Sequence, residues 1–316
     1  MPEVTYVFVV GAPRSGTTIL AEVLGRHPQV ADFYEPYYIW DYRLGSGEDD
    51  VRTVAMADPA NVAFIRREFA LFARKSRKLV VVEKSPENCF RIPYVRAIFP
   101  EAKWIHILRD GRDSVESIFR ESKKRKRIVE QRDLAQLFAV FKEMMELQPF
   151  WRNRLQAIWF EVRQIASIDP RRYFNKAKWG GEGGWGPRFP GWREVRRRLG
   201  PVGFAAMQWR ASIETLLRDL AGVPPAQHTE CRYEDFVANP EQELERLCAF
   251  IGVPMVSGLA RDITAHHVGR WRRVFTPSQL AELGPLIGEL MLELRQTTDL
   301  AWYPPIQWGD ASSFED

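Results

Sequence analysis

The sequence predicts an α/β fold, a central parallel sheet with helices on both faces. Three observations predict it. Val4 to Val10, Leu79 to Glu83 and Trp104 to Leu108 are short, apolar and rich in β-branched residues, so they read as buried strands rather than helices. Each leads through a turn or loop into a stretch with helical spacing, opening at Thr17, Asn88 and Ser114. Strands alternating with helices in this way build parallel sheets covered on both sides. The third observation is size: 316 residues, 45% hydrophobic and 27% charged, suffice for a single domain with a sizeable core.

The first strand runs into Gly11-Ala12-Pro13-Arg14-Ser15-Gly16-Thr17-Thr18. Gly11 and Gly16 permit backbone angles and close approaches that other residues resist. A strand, a tight loop and a helix start aim several N–H groups and a helix dipole at one point, which suits a phosphate or sulfate. The spacing G-x-x-x-x-G-T-T is close to the nucleotide loop G-x-x-x-x-G-K-[ST]. Thr17 holds the lysine position, and the cation sits inside the loop, at Arg14. The expected architecture is therefore P-loop-like, in three layers.

Further along, His27-Pro28 ends the first helix and Val30 to Phe33 forms a short strand. Glu35-Pro36 lies in a loop beside the aromatic cluster Tyr34, Tyr37, Tyr38, Trp40 and Tyr42. Asp58-Pro59 starts a helix that continues through Ile65, Phe69 and Phe72. Lys84-Ser85-Pro86 and Arg109-Asp110-Gly111-Arg112-Asp113 are the exit loops of the second and third long strands. Ligands of such sheets bind at the C-terminal strand ends, so the loops at Arg14, Lys84 and Arg109 should share one rim. Leu134 to Ile165 reads as helix broken at Pro149, and Asp169 to Trp192 is Gly-, Pro- and Trp-rich, a lid or a structural wrap. Residues 120–226 thus form a helical and Trp/Gly-rich insertion or lid within a single domain spanning 1–316. Pro201 to Leu220 is a helix and Gln227 to Arg232 a further strand. Asn239-Pro240 opens a helix through Phe250, and Pro277 opens the last one.

Lys plus Arg exceed Asp plus Glu by 45 to 41, a net charge of +4. This mild excess fits an anionic co-substrate and gives no ground for nucleic acid as a partner. The basic run Lys123 to Arg127 is either a solvated helix end or a rim that attracts an acidic acceptor. Cys89, Cys231 and Cys248 are scattered, in no metal spacing, as expected of a reducing compartment. No targeting segment precedes the first strand and no apolar run approaches ~18 residues, so the expected location is cytoplasmic, without stable membrane insertion. His106, in mid-strand, reads as a satisfied structural histidine.

Pro13-Arg14-Ser15-Gly16-Thr17-Thr18 resembles the 5′-phosphosulfate loop of sulfotransferases that use 3′-phosphoadenosine-5′-phosphosulfate (PAPS), in the form found in tyrosylprotein and many bacterial members. The resemblance implies that Arg14, Ser15, Gly16, Thr17 and Thr18 bind the donor. Arg109, with Ser117 about two helical turns further on, is similar to the family's 3′-phosphate motif, although Gly111 stands where proline is usual. Glu83-Lys84-Ser85-Pro86 matches a segment of glycosaminoglycan-type members, which implies that Lys84 neutralises charge in the transfer. The histidine base of the cytosolic branch falls on Pro86 here. Glu35, in the segment His27 to Glu35, corresponds instead to the glutamate of tyrosylprotein-type members and is the implied general base. Arg232-Tyr233-Glu234-Asp235-Phe236 and Gly269-Arg270-Trp271 resemble later family segments, the first as support for the sheet.

The implied activity is transfer of a sulfuryl group from PAPS to a hydroxyl or amine by in-line displacement. Glu35, Lys84 and Arg14 are the implied catalytic residues, no metal is required, and the acceptor is a small molecule, lipid or glycan. Two alternatives stand beside it. An ATP-dependent small-molecule kinase is disfavoured by the missing loop lysine. A non-catalytic nucleotide-binding protein would keep the site without turnover.

Overall fold

A computed structural model describes residues 4–44, 47–131 and 185–297. Five strands, β1 (Thr5–Val10), β2 (Val30–Tyr34), β3 (Val80–Lys84), β4 (Lys103–Leu108) and β5 (His228–Arg232), form a parallel sheet in the order β2-β3-β1-β4-β5. Among the described residues the α-helices are α1 (Thr17–Gly25), α2 (Tyr37–Trp40), α3 (Pro59–Ser76), α4 (Ile92–Ile98), α5 (Gly111–Gln131) and α6 (Trp192–Arg198). After them come α7 (Pro201–Leu220), α8 (Tyr233–Ala238), α9 (Pro240–Ile251), α10 (Trp271–Val274) and α11 (Pro277–Thr297).

Strand side chains alternate between faces, and β1 shows the result. Tyr6, Phe8 and Val10 join one core with α3, α4, α5, α7 and α11, whereas Val7 and Val9 join a second with α1 and α9. The molecule therefore has the three layers expected of it. Phe8 is at the centre of the larger core, with ring centroids 5.1 Å from Trp104 and 5.6 Å from Phe99.

Local sequence sets the element ends. The Asp58 carboxylate accepts from the amides of Ala60 and Asn61 at 2.8 and 3.0 Å, capping α3 with Pro59 in its first turn. Gly252, at φ 88°, closes α9 in the left-handed region. The helix expected from Asn88 to Phe99 is instead a 3-10 turn, Pro86–Phe90, followed by α4. Pro93 lacks an N–H and is tolerated only in a first turn, so the α-helix restarts just before it. Helix α6 was not foreseen, because its start was read as the end of the Gly- and Trp-rich stretch. The helix expected over Leu134 to Ile165, and most of that stretch, lie outside the described residues.

Strand order reverses at β1, which has β3 on one side and β4 on the other. The chain passes from β1 to the edge strand β2, returns to β3 beside β1, and then crosses to β4 on the other side. Such a switch point opens a crevice beyond the strands' C-terminal ends. Among the described residues no helix is long and apolar enough to cross a membrane. The three cysteines are buried and free.

Candidate active site

The loop after β1 is shaped by close contacts. A Cβ on Gly11 would lie 2.4 Å from the Ser15 hydroxyl and 2.7 Å from the Ile107 carbonyl. Gly16 has φ 102°, and a Cβ there would meet the Tyr233 ring at 2.5 Å. Arg14 also takes a left-handed backbone, φ 67°. Gly16 is the N-cap of α1 and supplies no side-chain cap, so the first amides of this helix are left to another acceptor. Ser15 is buried, and its hydroxyl has no hydrogen-bond partner. Uncapped amides, a helix dipole and an unsatisfied hydroxyl suit an anionic group.

Arg14 Nε donates to Ser117 Oγ at 2.9 Å, and the guanidinium lies 5.7 Å from the Trp185 ring. Arg14 is exposed as a residue, but neighbouring groups partly desolvate its guanidinium and lower its pKa from the ordinary value. Arg109, just past β4, donates to the Arg14 carbonyl at 3.0 Å and to the His267 carbonyl at 2.6 Å. Its guanidinium sits 4.4 Å over the Tyr233 ring. Tyr233, at the start of α8, thus backs both Gly16 and Arg109. Glu234 accepts the Asp110 amide at 3.0 Å, and burial pushes its carboxyl up to about 7.

Asp113 ties a distant segment to this corner. Its carboxylate accepts the amides of Gly269 and Trp271 at 2.7 and 3.0 Å and lies 4.0 Å from Arg109. Asp110 pairs with Arg112 at 2.7 Å, and Arg112 stacks 4.1 Å from the Trp271 ring. Arg120 and Arg270 both reach Glu116, at 3.1 and 3.5 Å. The turn that Arg270 opens is thereby held against α5.

At the end of β3, buried Lys84 forms an ion pair with Glu35 and lies 4.9 Å from the Tyr34 ring. Glu35 has φ 38°, a conformation that costs a non-glycine residue about 1–3 kcal/mol and that clusters at functional sites. Glu83, fully buried, accepts from Trp40 Nε1 at 3.0 Å, Asn88 Nδ2 at 2.7 Å and the Ser85 hydroxyl. Desolvation pushes it up to about 7 against these hydrogen bonds. Asp32 is pushed up to about 6, also by burial, with Lys84 opposing.

The structure brings the predicted site residues into two groups: Arg14, Arg109 and Ser117 on the β1–β4 side, and Glu35 with Lys84 on the β3 side. Thr17 is buried and Thr18 half-buried in the first turn of α1. Two members of the aromatic cluster are spent elsewhere. Trp40 is in the core, and Tyr42 stacks on Phe64 at 3.7 Å. Tyr34 reaches Lys84; the side chains of Tyr37 and Tyr38 lie outside the described residues. His106 is buried as expected, but neither ring nitrogen has a hydrogen-bond partner, so it is not a satisfied histidine. Three contributors escaped the sequence. Asp113 is silent without its partners near residue 270, Tyr233 belonged to a segment read as support for the sheet in preference to a contact, and Trp185 was one of several tryptophans in its stretch.

Residues 185–192 are anchored. Arg188 donates from its amide and its guanidinium to Asp50 at 2.7 and 3.0 Å, and Trp192 Nε1 donates to the Glu48 carbonyl at 2.9 Å. Phe189 and Trp192 are buried. This end of the stretch is a structural wrap that also delivers Trp185 to Arg14.

A sequence profile described as "Sulfotransferase family" matches residues 7–164 and 186–257. The chain is 31% identical to Protein-tyrosine sulfotransferase 2 of Gallus gallus over 131 residues, 37% of this chain and 34% of that protein. It is 27% identical to Nodulation protein NoeE of Sinorhizobium fredii over 118 residues, 33% of this chain and 28% of that protein. These matches span about a third of each relative's length. Among solved structures, the sulfotransferase domain from the Synechococcus PCC 7002 olefin synthase aligns with TM-score 0.49 at 16% identity, covering 88% of this chain and 90% of that one. The mouse sulfotransferase SULT7A1 complexed with PAP aligns with TM-score 0.43 at 15% identity, covering 94% and 87%.

Proposed function

The chain belongs to the sulfotransferase family, and from that premise we propose that it is an enzyme moving a sulfuryl group from PAPS to a hydroxyl or amine of an acceptor. One observation carries this reading. The uncapped start of α1 and the Arg14–Ser117–Arg109 cluster adjoin at the β1–β4 switch point, and the neighbouring strand ends in a lysine paired with a carboxylate.

PAPS supplies the sulfuryl group. The amides of the Gly11–Thr18 loop and the Thr17 and Thr18 hydroxyls would hold its 5′-phosphosulfate. Arg109 and Ser117 would hold the 3′-phosphate, an ester that ATP lacks. Glu35 takes the proton from the acceptor as its oxygen or nitrogen bonds to sulfur in line with the departing phosphate oxygen. An ammonium has three donors, so the contact of Lys84 with Glu35 leaves it capacity for an anionic oxygen. Arg14 adds a second, partly desolvated cation. Positioning and fixed charge supply most of the rate, as in phosphoryl transfer.

The acceptor is a small molecule, lipid or glycan carrying a nucleophilic O–H or N–H. The free, buried cysteines support a reducing, cytoplasmic setting. Calorimetry with adenosine 3′,5′-bisphosphate (PAP), without magnesium, tests the donor side. Tight binding is expected, with adenosine 5′-monophosphate markedly weaker and Arg109→Ala removing the difference; equal affinity for both nucleotides would sink the reading. A screen of phenols, sugars, lipids and tyrosyl peptides with radiolabelled PAPS tests transfer. For any acceptor found, Glu35→Gln should keep PAP affinity and lower kcat by about 10²–10⁴-fold. Unchanged turnover would remove Glu35 as the base.

A further inference from the structure

Away from the proposed active site, three metal-ligating side chains meet on one face of the sheet. His106 on β4 stands in register with Glu230 on β5, and His228 lies two residues before Glu230. Alternation along the strands places all three on the same side. One ligating atom from each lies within 4.8 Å of the others, and His106 Nδ1 is 3.9 Å from Glu230 Oε1. The two imidazoles face each other with centroids 6.4 Å apart and planes inclined by 25°.

Their hydrogen bonding is what calls for a ligand. His106 is fully buried, and neither of its ring nitrogens has a hydrogen-bond partner; His228 Nε2 is likewise buried without one. A buried polar atom left unpaired costs about 1–3 kcal/mol, and each of the two rings carries at least one such nitrogen. We propose that His106, His228 and Glu230 bind a first-row divalent cation of the zinc type. Two imidazoles and a carboxylate form a donor set suited to zinc, cobalt or nickel, whereas magnesium and calcium take oxygen-rich sites. Bonds of about 2.0–2.2 Å to such an ion require the three atoms to draw together by about 1 Å. Glu230 permits this: it is on the edge strand, and its side chain keeps 35% of its exposure. Three protein ligands leave a fourth position for water.

The ion would clip β5 to β4. His106 on β4 lies three residues before Arg109, just past that strand, and Glu230 on β5 precedes Tyr233 and Glu234 of α8, which brace Arg109 and Asp110. Its role is structural, and it takes no part in the proposed transfer.

The test uses the full chain without a histidine tag, stripped with chelator, then titrated with Co²⁺ and Zn²⁺. One equivalent of Co²⁺ should give the intense visible absorption of a low-coordinate site, bleached by Zn²⁺, and Zn²⁺ should raise the melting temperature. Glu230→Gln, on the half-exposed edge, and His228→Gln should melt like the parent in chelator yet bind Co²⁺ more than about tenfold more weakly. Absorption no stronger than that of hydrated Co²⁺ in the parent would overturn the proposal. So would an unchanged spectrum and melting shift in both variants. If His228→Gln does not fold, Glu230→Gln decides alone.

Discussion

Two glutamates close to the end of β3 stand in opposite environments. Glu35 is half-buried, strained and paired with Lys84, whereas Glu83 is sealed among Trp40, Ser85 and Asn88. Burial pushes Glu83 from 4.5 to about 7, so the folded protein keeps a proton that the unfolded chain releases above pH 4.5. The Ser85 hydroxyl can turn and accept that proton, which lets the neutral form fit. The stability from this group is full below pH 4.5 and is lost as pH rises through about 7, on the order of 3 kcal/mol. Glu83→Gln should flatten the stability profile in that window, read by urea denaturation at a series of pH values; an unchanged slope would show that Glu83 ionises normally. At this scale the sequence was informative where a motif is contiguous. Glu35, Lys84 and Arg14 could be singled out as candidates because neighbouring residues carried the pattern. Nothing adjacent to Asp113 or Trp185 announced partners more than a hundred positions away.

Among the elements, the start of α5 depends on its glycine. A Cβ on Gly111 would lie 2.8–3.1 Å from the Trp209 ring of α7. The indole occupies the space a larger residue would need, so the two positions are coupled. Gly111→Ala should cost about 1–3 kcal/mol by overpacking. In the background Trp209→Phe the same change should cost clearly less, a non-additivity measurable by a double-mutant cycle. Equal costs in both backgrounds would show that the contact relaxes freely. Strands and long helices were legible from apolar spacing, and the Asp58 and Asn239 helix starts from their neighbours. The 3-10 turn before α4 was not, because periodicity alone does not say where Pro93 makes a helix restart. Helix α6 was hidden behind the glycines and tryptophans that precede it.

Across the molecule, charges buried between distant segments hold peripheral loops together. Asp50 and Arg188 form an ion pair with each side chain under 5% exposed, and Arg91 donates to the Asp50 carbonyl at 3.1 Å. Removing one member strands the other in a poor solvent. Asp50→Ala should therefore lower unfolding free energy by about 3–5 kcal/mol, seen in denaturant midpoints, and should loosen residues 185–192 to proteolysis. A loss below about 1 kcal/mol would mean that water replaces the carboxylate. The parallel sheet and its shared rim were legible from the alternation of elements. The order that sets β1 between β3 and β4 was not, since short-range patterns carry no record of which strands become neighbours.

Tyr233 fills the space beside Gly16 and supports Arg109 from below. The loop after β1 is thus completed by a ring that leaves the ribosome about 200 residues later, roughly 10–40 s at ordinary rates of synthesis. A nascent chain halted before that ring emerges would carry the whole Gly11–Thr18 motif and still lack the wall that shapes it, so nucleotide capture should arise late and abruptly during translation.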